Sequence, residues 1–299
     1  MKAAVALAFG LVVLTAATSR APAQTATANW AGFYIGGNLG YGWGKADSTQ
    51  SGTASSFSGA PTVYVPNTFT VASANEKTAL DSILGGLQAG YNVVSTRWVV
   101  GAETDLQFGR RSGNTSLVSA LNGALCNNVI LPSGPCSTSP IVPTSVNGSI
   151  ATTLRSSIDW FGTFRARVGY LANDNLLVFG TAGLAYGQVS VSTATNVAVS
   201  VSGGNPIFPD SGTVNLSRTN IGFTLGAGLQ GALPSFSPNW TWKAEYLYVD
   251  LGSVDNITPF ALVRSGGTAY YTPITGPAVT NTRFTENILR VGLNYRLGP

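Results

Sequence analysis

The sequence predicts an all-β protein, an eight-stranded antiparallel up-and-down transmembrane β-barrel with long extracellular loops. Three observations support this prediction: an apolar N-terminal segment, strand-like segments in which large apolar residues alternate with small or polar ones, and connections that are alternately long and short. The alternation is clearest over residues 33–44, FYIGGNLGYGWG, where it has a period of two. A strand with this pattern has one apolar face and one small, polar face.

Residues 1–23 predict an export signal. A basic residue precedes an apolar run over residues 3–17, and Ala21-Pro22-Ala23 provides a small-x-small cleavage pattern. The run is shorter than the roughly 20 apolar residues with which a helix spans a bilayer, and a buried N-terminal helix is the alternative. The predicted organisation is therefore a signal peptide over 1–23 and one barrel domain over 24–299, exported to the outer membrane.

Composition argues against several classes of protein. Charged residues make up 9% of the chain, against about 25% in ordinary soluble domains, and no later segment is apolar over about 18 residues. A soluble domain is disfavoured and a helical membrane protein is excluded. Loss of Lys2 and Arg20 with the signal leaves 14 basic residues (16 − 2) against 12 acidic ones, a net charge of +2. Because nucleic-acid binding requires clustered Lys and Arg, no nucleic-acid partner is predicted.

Eight strand-like segments are predicted, and their spacing fits a membrane barrel. They are residues 31–45, 80–94, 97–111, 154–171, 175–190, 217–232, 239–250 and 283–297. The long linkers, rich in Ser, Thr, Gly, Asn and Pro, are residues 46–79, 112–153, 191–216 and 251–282. The other three connections are short. Short periplasmic turns that alternate with longer outward loops are typical of outer-membrane barrels, in which both termini are periplasmic.

The apolar parity of each segment is predicted to face lipid. The residues assigned to this face are Ile83, Leu87, Tyr91, Trp98, Val100, Leu106, Trp160, Phe164, Val168, Ile221, Phe223, Leu225, Leu289, Val291, Leu293 and Tyr295. Aromatic residues near the strand ends predict two interfacial girdles. The periplasmic girdle consists of Phe33, Tyr91, Trp98, Tyr170, Trp240 and Tyr295, and the outer girdle of Tyr41, Trp43, Phe108, Trp160, Tyr186 and Tyr248. Ordinary enrichment of aromatic residues in strands is the alternative interpretation.

Charged residues occupy the opposite parity, which predicts a charge cluster in the lumen. The predicted cluster consists of Glu103, Asp105, Arg165, Arg167, Lys243, Glu245, Arg290 and Arg296. Counting residues along neighbouring strands places Glu103 and Asp105 at the same depth as Arg165, and Glu245 at the same depth as Arg290. Such charges form either a salt-bridge plug, which is favoured, or an ion path or gate. Glycines of the same parity, among them Gly36, Gly40, Gly42, Gly90, Gly226 and Gly228, would leave room for a narrow wet passage.

The sequence predicts no catalytic residues, no cofactor and no metal site. The chain contains no histidine, so a Ser-His-Asp or Cys-His system cannot be built. The run GAGLQG over residues 226–231 spells a dinucleotide-binding pattern, but no helical segment follows it, so the match is read as coincidence. Cys126 and Cys136 are the only cysteines, and a loop disulfide between them is predicted for an oxidising compartment, with two free thiols as the alternative.

Three motifs resemble the small outer-membrane surface-antigen barrels often described as porin family proteins. They are Asn29–Gly42, Trp242–Gly252 and Arg290–Leu297. The last is similar to the C-terminal strand signal read by the barrel-assembly machinery, with Arg290, Gly292, Tyr295 and Leu297 at the motif positions. The resemblance implies that this machinery is a partner during biogenesis. Gly298-Pro299 depart from the pattern, because such families commonly end on an aromatic residue.

These observations predict an integral outer-membrane barrel, surrounded by outer-membrane lipid, with a surface or structural role and with its loops outside. Eight strands enclose an interior that side chains fill, which disfavours a wide diffusion channel. A low-conductance, porin-like channel for small hydrophilic solutes is the alternative. A soluble lipocalin-like barrel is a third hypothesis, but it would invert the faces and leave the two girdles without a cause. Loop partners and oligomeric state are not predicted.

Overall fold

A computed structural model describes residues 30–60, 63–125, 144–201, 210–234, 236–262, 270–271 and 274–297. Its strands are β1 Gly32–Ala60, β2 Val63–Ser95, β3 Trp98–Leu125, β4 Thr144–Asn173, β5 Leu176–Val201, β6 Asp210–Ala232, β7 Trp240–Leu262, the two-residue β8 Tyr270–Tyr271 and β9 Ile274–Leu297. Within these ranges there is no helix with the length and hydropathy of a membrane span. The predicted signal peptide, Cys126, Cys136 and Gly298-Pro299 lie outside the described residues.

The eight long strands form one closed antiparallel ring in chain order. Each pairs with its sequence neighbours, and β9 closes the ring by pairing with β1. Successive pairing partners lead once around the ring from Trp43 through Asn287, Tyr248, Leu225, Ala182, Ala166, Ala102 and Tyr91 to Phe33. The path returns to β1 ten residues earlier (43 − 33 = 10), an offset that tilts the strands around the barrel axis. The predicted eight-stranded up-and-down barrel is confirmed.

The strands are longer than the sequence pattern predicts. β1 continues to Ala60 rather than residue 45, and β4 begins at Thr144 rather than residue 154, so much of the predicted linkers is strand. The predicted ends are too early because the amphipathic pattern reverses beyond the outer girdle. There, small polar residues lie outside and apolar residues such as Leu117 and Leu154 lie inside. The three short connections, residues 96–97, 174–175 and 233–239, join strands at the opposite end.

Between the girdles, the side chains assigned to the apolar face point outward. They are exposed in the isolated chain, except that Trp160 is partly covered by Tyr186. Three girdle pairs at the turn end, Phe33 with Tyr91, Trp98 with Tyr170 and Trp240 with Tyr295, have ring centroids 4.5, 5.3 and 5.3 Å apart. The ten residues from Phe33 to Trp43 rise about 23 Å along a strand tilted by about 45°, close to the thickness of a lipid-facing band.

The interior is filled by side chains in layers. At the turn end, an apolar group caps the lumen; its members are Trp30, Val99, Leu177 and Phe179. Charged residues form the next layer, and the largest apolar cluster, which includes Leu84, Phe161 and Phe284, follows it. A second apolar cluster, around Phe69 and Ile150, fills the far end. The core of this barrel is therefore its lumen.

Beyond the outer girdle, the strand ladder is interrupted on two opposite sides. Within the described residues, β2 does not pair with β3 between Val71 and Gly85, and β6 does not pair with β7 on the outer side of Phe223. These seams divide the ring into β7-β9-β1-β2 and β3-β4-β5-β6. Gln50 Nε2 of the first sheet donates to Thr152 Oγ1 of the second at 2.6 Å. We call this part the outer half, and the part between the girdles the membrane half.

Candidate functional site

The candidate site is a group of charged side chains buried in the lumen of the membrane half. Because side chains alternate along a strand, residues two apart on β3, β4 and β7 point into the same interior. Seven of the eight predicted cluster residues meet there and are at most 2% exposed: Glu103, Asp105, Arg165, Arg167, Lys243, Glu245 and Arg290. The site therefore depends on four strands that contribute one or two residues each.

Arg165 lies at the centre of this ion-pair network. The register sets it opposite Glu103 on β3, and its Nη2 contacts the carboxylates of Glu103 and Asp105, the latter at 2.8 Å. Its Nη1 donates to Glu245 Oε1 at 2.5 Å. Glu245 lies on β7, which is not a neighbour of β4 in the ring. One guanidinium group therefore ties two opposite walls of the barrel together.

Arg290 and Lys243 complete the same network from the other wall. Arg290 Nη2 lies 2.8 Å from Asp105 Oδ2 and 2.7 Å from Glu245 Oε2. Lys243 Nζ lies 2.7 Å from Glu103 Oε1 and 3.2 Å from Glu245 Oε2. Each carboxylate thus contacts at least two cations. Such multiple pairing is what allows charges to remain buried, because their lost hydration is replaced by charge-assisted hydrogen bonds.

Arg167 is a fourth cation in a group with three carboxylates. Its nearest carboxylate oxygen, on Glu103, is 3.7 Å away. Its main partners are neutral: it donates to Gln230 Oε1 at 2.5 Å and to Tyr34 Oη at 3.3 Å, and its guanidinium carbon lies 4.0 Å from the centre of the Phe179 ring. The surplus charge is stabilised by the face of an aromatic ring and by neutral dipoles.

Arg296 does not join the network. It lies near the turn end, where its Nη2 donates to the Pro238 carbonyl at 2.7 Å. It lies six positions after Arg290 along β9, so it shares the lumen parity but lies at another depth. Of the predicted assembly-signal residues, Tyr295 and Leu297 point outward, whereas Arg290 belongs to the network. Their role in assembly stays a prediction.

Two groups of interacting residues were not predicted from the sequence. Tyr34 donates to Glu103 Oε2 at 2.6 Å, although its aromatic ring suggested no polar role. Arg111 and Glu286 form a second buried ion pair, 2.7 Å between Nε and Oε1. Arg111 has the same inward parity on β3 as Glu103, Asp105 and Gln107, whereas Arg110 points outward. The alternation of β3, continued to residue 111, is the signal that could have found this residue.

The lumen-facing glycines receive large side chains from neighbouring strands. A β-carbon at Gly90 would lie 2.4 Å from the Tyr34 ring, and one at Gly228 would lie 2.7 Å from the ring of Phe179. At Gly36 it would lie 2.1 Å from the Asn294 amide oxygen. The space expected to form a wet passage beside these glycines is occupied by protein atoms. The glycines therefore allow tight packing around the network.

The network is suited to holding strands together and excluding water. Within the ranges that the structure describes, no group of three or more His, Cys, Asp or Glu is placed to bind a metal ion. Each of the three central carboxylates is occupied by contacts with at least two cations of the network. The combination of an apolar, girdled exterior with an ion-paired interior defines the class of outer-membrane β-barrel proteins.

A family model described as the outer membrane protein beta-barrel domain matches residues 9–296, and the chain belongs to this family. It is 31% identical over 294 residues to a 31 kDa outer-membrane immunogenic protein of Brucella melitensis biotype 1, covering 95% of this chain and 91% of the relative. Over 96 residues it is 38% identical to a 22 kDa outer membrane protein of Rhizobium leguminosarum bv. viciae, covering 32% of this chain and 35% of that protein. The chain is an outer-membrane protein.

The chain is also similar to several solved structures. One is Ail of Yersinia pestis in complex with sucrose octasulfate, with a TM-score of 0.31 and 13% identity over 85% of this chain and 99% of that one. Another is the protease OmpT of Escherichia coli, with a TM-score of 0.29 and 10% identity over 88% and 97% of the two chains.

Proposed function

We propose that this protein is a closed outer-membrane barrel with a structural and surface role, and that it neither conducts solutes nor catalyses a reaction. The observation that carries the proposal is the contact of Arg165 with Glu245 across the lumen, at 2.5 Å between two fully buried side chains. An ion path requires hydrated charges, whereas these charges are mutually neutralised.

The layers above and below the network support a closed lumen. An ion that passed the network would next meet the apolar cluster that contains Leu84, Phe161 and Phe284, all of which are buried. At the turn end it would meet the apolar cap around Phe179. Opening a pore would require displacement of several packed layers, because the interior of an eight-stranded barrel is only wide enough for the side chains that fill it.

The outer half supports a surface role. We place it outside the cell, because the short connections of outer-membrane barrels lie on the periplasmic side. The outward residues of β5 and β6 form hydrogen-bonded rows of hydroxyl and amide groups, such as Ser190 with Ser217 at 2.9 Å. The 31 kDa Brucella relative is named as an immunogenic protein, which fits a barrel whose extended strands are accessible from outside.

Single-channel recording tests the closed lumen. The refolded chain, verified by its heat-modifiable gel shift, is inserted into a planar bilayer under an applied voltage. We expect no steady conductance steps. Reproducible, ohmic steps that scale with the number of inserted molecules would show that the lumen conducts, and the low-conductance channel would then replace the proposal.

Cysteine labelling of intact cells tests the orientation. In a background with Cys126 and Cys136 replaced by Ser, the matched variants are Ser116→Cys in the outer half and Ser95→Cys at the turn end, both at exposed positions. A membrane-impermeant maleimide should label Ser116→Cys on intact cells and Ser95→Cys only after permeabilisation. The reverse pattern would overturn the proposed orientation.

A further inference from the structure

We propose that the turn end of the lumen contains a binding site for a small inorganic anion of single charge, for which chloride is the probe. The site consists of Arg296 and Asn294 on β9 and Thr241 on β7. Their side chains are buried in the lumen and belong to none of the ion pairs of the Arg165 network. This inference goes beyond the proposed closed barrel and does not depend on the orientation of the barrel in the membrane.

The buried charges of the barrel do not balance. Among the described residues, six cations are buried: Arg111, Arg165, Arg167, Lys243, Arg290 and Arg296. Five carboxylates are buried: Glu103, Asp105, Glu245, Asp250 and Glu286. Asp250 is paired with the exposed Arg283, so four carboxylates (5 − 1) face six cations, an excess of two positive charges. Arg167 accounts for one of them and is stabilised by its aromatic and amide partners. Arg296 accounts for the other.

Arg296 has few partners for a buried guanidinium group. It is 6% exposed, and its Nη2 donates to the Pro238 carbonyl at 2.7 Å. Its Nε and Nη1 are buried without an acceptor in the described part of the chain. Its pairing partner on β1, Tyr34, has a hydroxyl group that is already engaged by Glu103 and Arg167. Because a buried charge without a counter-charge is strongly destabilising, a counter-ion is expected here.

The residues next to Arg296 add further donors. Asn294 lies two positions before it on the same face of β9, and Thr241 is the pairing partner of Asn294 on β7. Asn294 Oδ1 accepts from Gln88 Nε2 at 2.5 Å, and Asn294 Nδ2 is buried without a partner among the described residues. Thr241 Oγ1 accepts from Gln230 Nε2 at 2.8 Å, so its own proton is available to donate. Two guanidinium N–H groups, one amide and one hydroxyl group therefore converge at the turn end.

This surplus of donors favours an anion over a water molecule. A water molecule would need acceptors for its own protons and would leave the charge of Arg296 unbalanced, whereas an anion accepts from every donor and balances the charge. An unpaired nitrogen is not by itself the signal. Arg290 Nη1 also lacks a partner among the described residues, but that guanidinium group contacts the carboxylates of Asp105 and Glu245.

The charge and the surroundings of the site favour a monovalent ion. One unbalanced cation requires one negative charge. The apolar cap that includes Trp30 and Val99 fills the same end of the lumen, and it offers nothing to replace the water around a strongly hydrated anion such as phosphate.

The line width of the chloride NMR signal tests binding directly. The refolded chain, verified by its heat-modifiable gel shift, is studied in neutral detergent with gluconate replacing chloride at constant ionic strength. We expect saturable broadening that bromide reverses. The test variant is Arg296→Met, which removes the charge and keeps an apolar stem. The matched control, Arg97→Met, removes an exposed cation at the same end of the barrel. Broadening should be lost in the test variant and retained in the control.

A second variant, Asn294→Asp, tests the site even if Arg296→Met does not fold. It places a carboxylate beside Arg296 in nearly the same volume, so the chain supplies its own counter-charge. A ligand that binds only the folded state lowers the unfolding equilibrium constant about a hundredfold at a concentration of about 100 Kd. Urea titrations should show this dependence on chloride for the wild type and none for Asn294→Asp.

Several results would overturn the proposal. Equal broadening by the wild type and Arg296→Met, or an unfolding constant that responds equally to chloride and gluconate, would remove the site. A larger response to phosphate than to chloride at equal ionic strength would contradict a monovalent ion. A chloride dependence that persists in Asn294→Asp would place the anion elsewhere. None of these results bears on conductance or cysteine labelling, which test the proposed function separately.

Discussion

The membrane half and the outer half of this barrel use the same strands with opposite amphipathic character. In the membrane half, apolar residues such as Leu293 and Val291 point outward, and the lumen contains the Arg165 network. In the outer half, Ser, Thr and Asn point outward, and the lumen is filled by residues such as Leu154 and Phe69. The inward parity changes on β2, β4 and β7, where the register shifts, and stays the same along the other long strands, so the reversal is chiefly one of side-chain chemistry.

The difference follows from the medium outside the barrel. Lipid cannot drive apolar side chains inward, so the interior of the membrane half is held by ion pairs and hydrogen bonds. Water does drive them inward, so the outer half has an ordinary hydrophobic core. In the outer half the ladder between β2 and β3 is interrupted from Val71 to Gly85, and the described residues of β6 and β7 are not paired with each other beyond Phe223. Unpaired backbone groups are tolerable there because water can satisfy them, which lipid cannot do.

The largest effect is expected for Arg165→Glu in the membrane half. The change would leave four carboxylates facing three cations, so the loss in unfolding free energy should exceed the roughly 3–5 kcal/mol that follows removal of one partner of a buried pair. The heat-modifiable gel shift should disappear. Arg97→Glu makes the same change at an exposed turn and should leave the shift intact. An unchanged melting point for Arg165→Glu would mean that the network does not hold the barrel.

A leucine truncation in each half tests whether only the outer half has a conventional core. Leu154 is completely buried, and Leu154→Ala should cost about 2–5 kcal/mol, because it removes apolar contact and leaves a cavity. Leu293→Ala on the lipid face should cost about 1–2 kcal/mol, because acyl chains refill the space. Urea titration in lipid vesicles measures both. Equal costs would show that the outer half is not packed as the structure indicates.

Replacing one exposed valine in each half by arginine tests whether lipid surrounds the membrane half and water surrounds the outer half. Val291 in the membrane half and Val118 in the outer half are 50% and 65% exposed in the isolated chain. Val291→Arg should cost about 2–4 kcal/mol, because the charge would enter hydrocarbon. Val118→Arg should stay within about 0.5 kcal/mol, as for surface changes in water. The same titrations apply, and similar costs at both sites would place the membrane boundary elsewhere.

The sequence is most informative where one physical rule governs each face. In the membrane half, lipid contact forces period-two alternation, so strand number, strand order and the outward parity of residues such as Val291 follow from the pattern. In the outer half the rule is reversed, because water outside the barrel favours polar residues on the outward face and apolar residues in the lumen. A search for apolar residues on a fixed outward face therefore ends each strand at the girdle, and the interior positions of Leu117 and Leu154 are read as linker.

The sequence predicts which residues belong to the network better than it predicts which of them are in contact. Parity identifies the charged residues of the lumen, but contacts across the barrel depend on ring order and tilt. The contact of Arg165 with Glu245 joins strands that are distant in the ring, and the separation of Arg296 from the network is a matter of depth. Arg111 shares the inward parity of Glu103 and Asp105 on β3, so the alternation could have identified it as a lumen residue. Its contact with Glu286 on β9 could not be read from parity.

The smallest effect is expected for glycine substitutions on the two faces of the membrane half. At Gly90 an added methyl group would meet the Tyr34 ring at 2.4 Å and the Ala102 carbonyl at 2.7 Å, while Tyr34 is held by its hydrogen bond to Glu103. Gly90→Ala should therefore cost about 1–3 kcal/mol through overpacking. At the outward Gly37 the nearest atom would be 3.8 Å away, so Gly37→Ala should be nearly neutral. If Gly90→Ala is equally neutral in the vesicle titration, the lumen has spare room beside the network, and a closed interior is no longer supported.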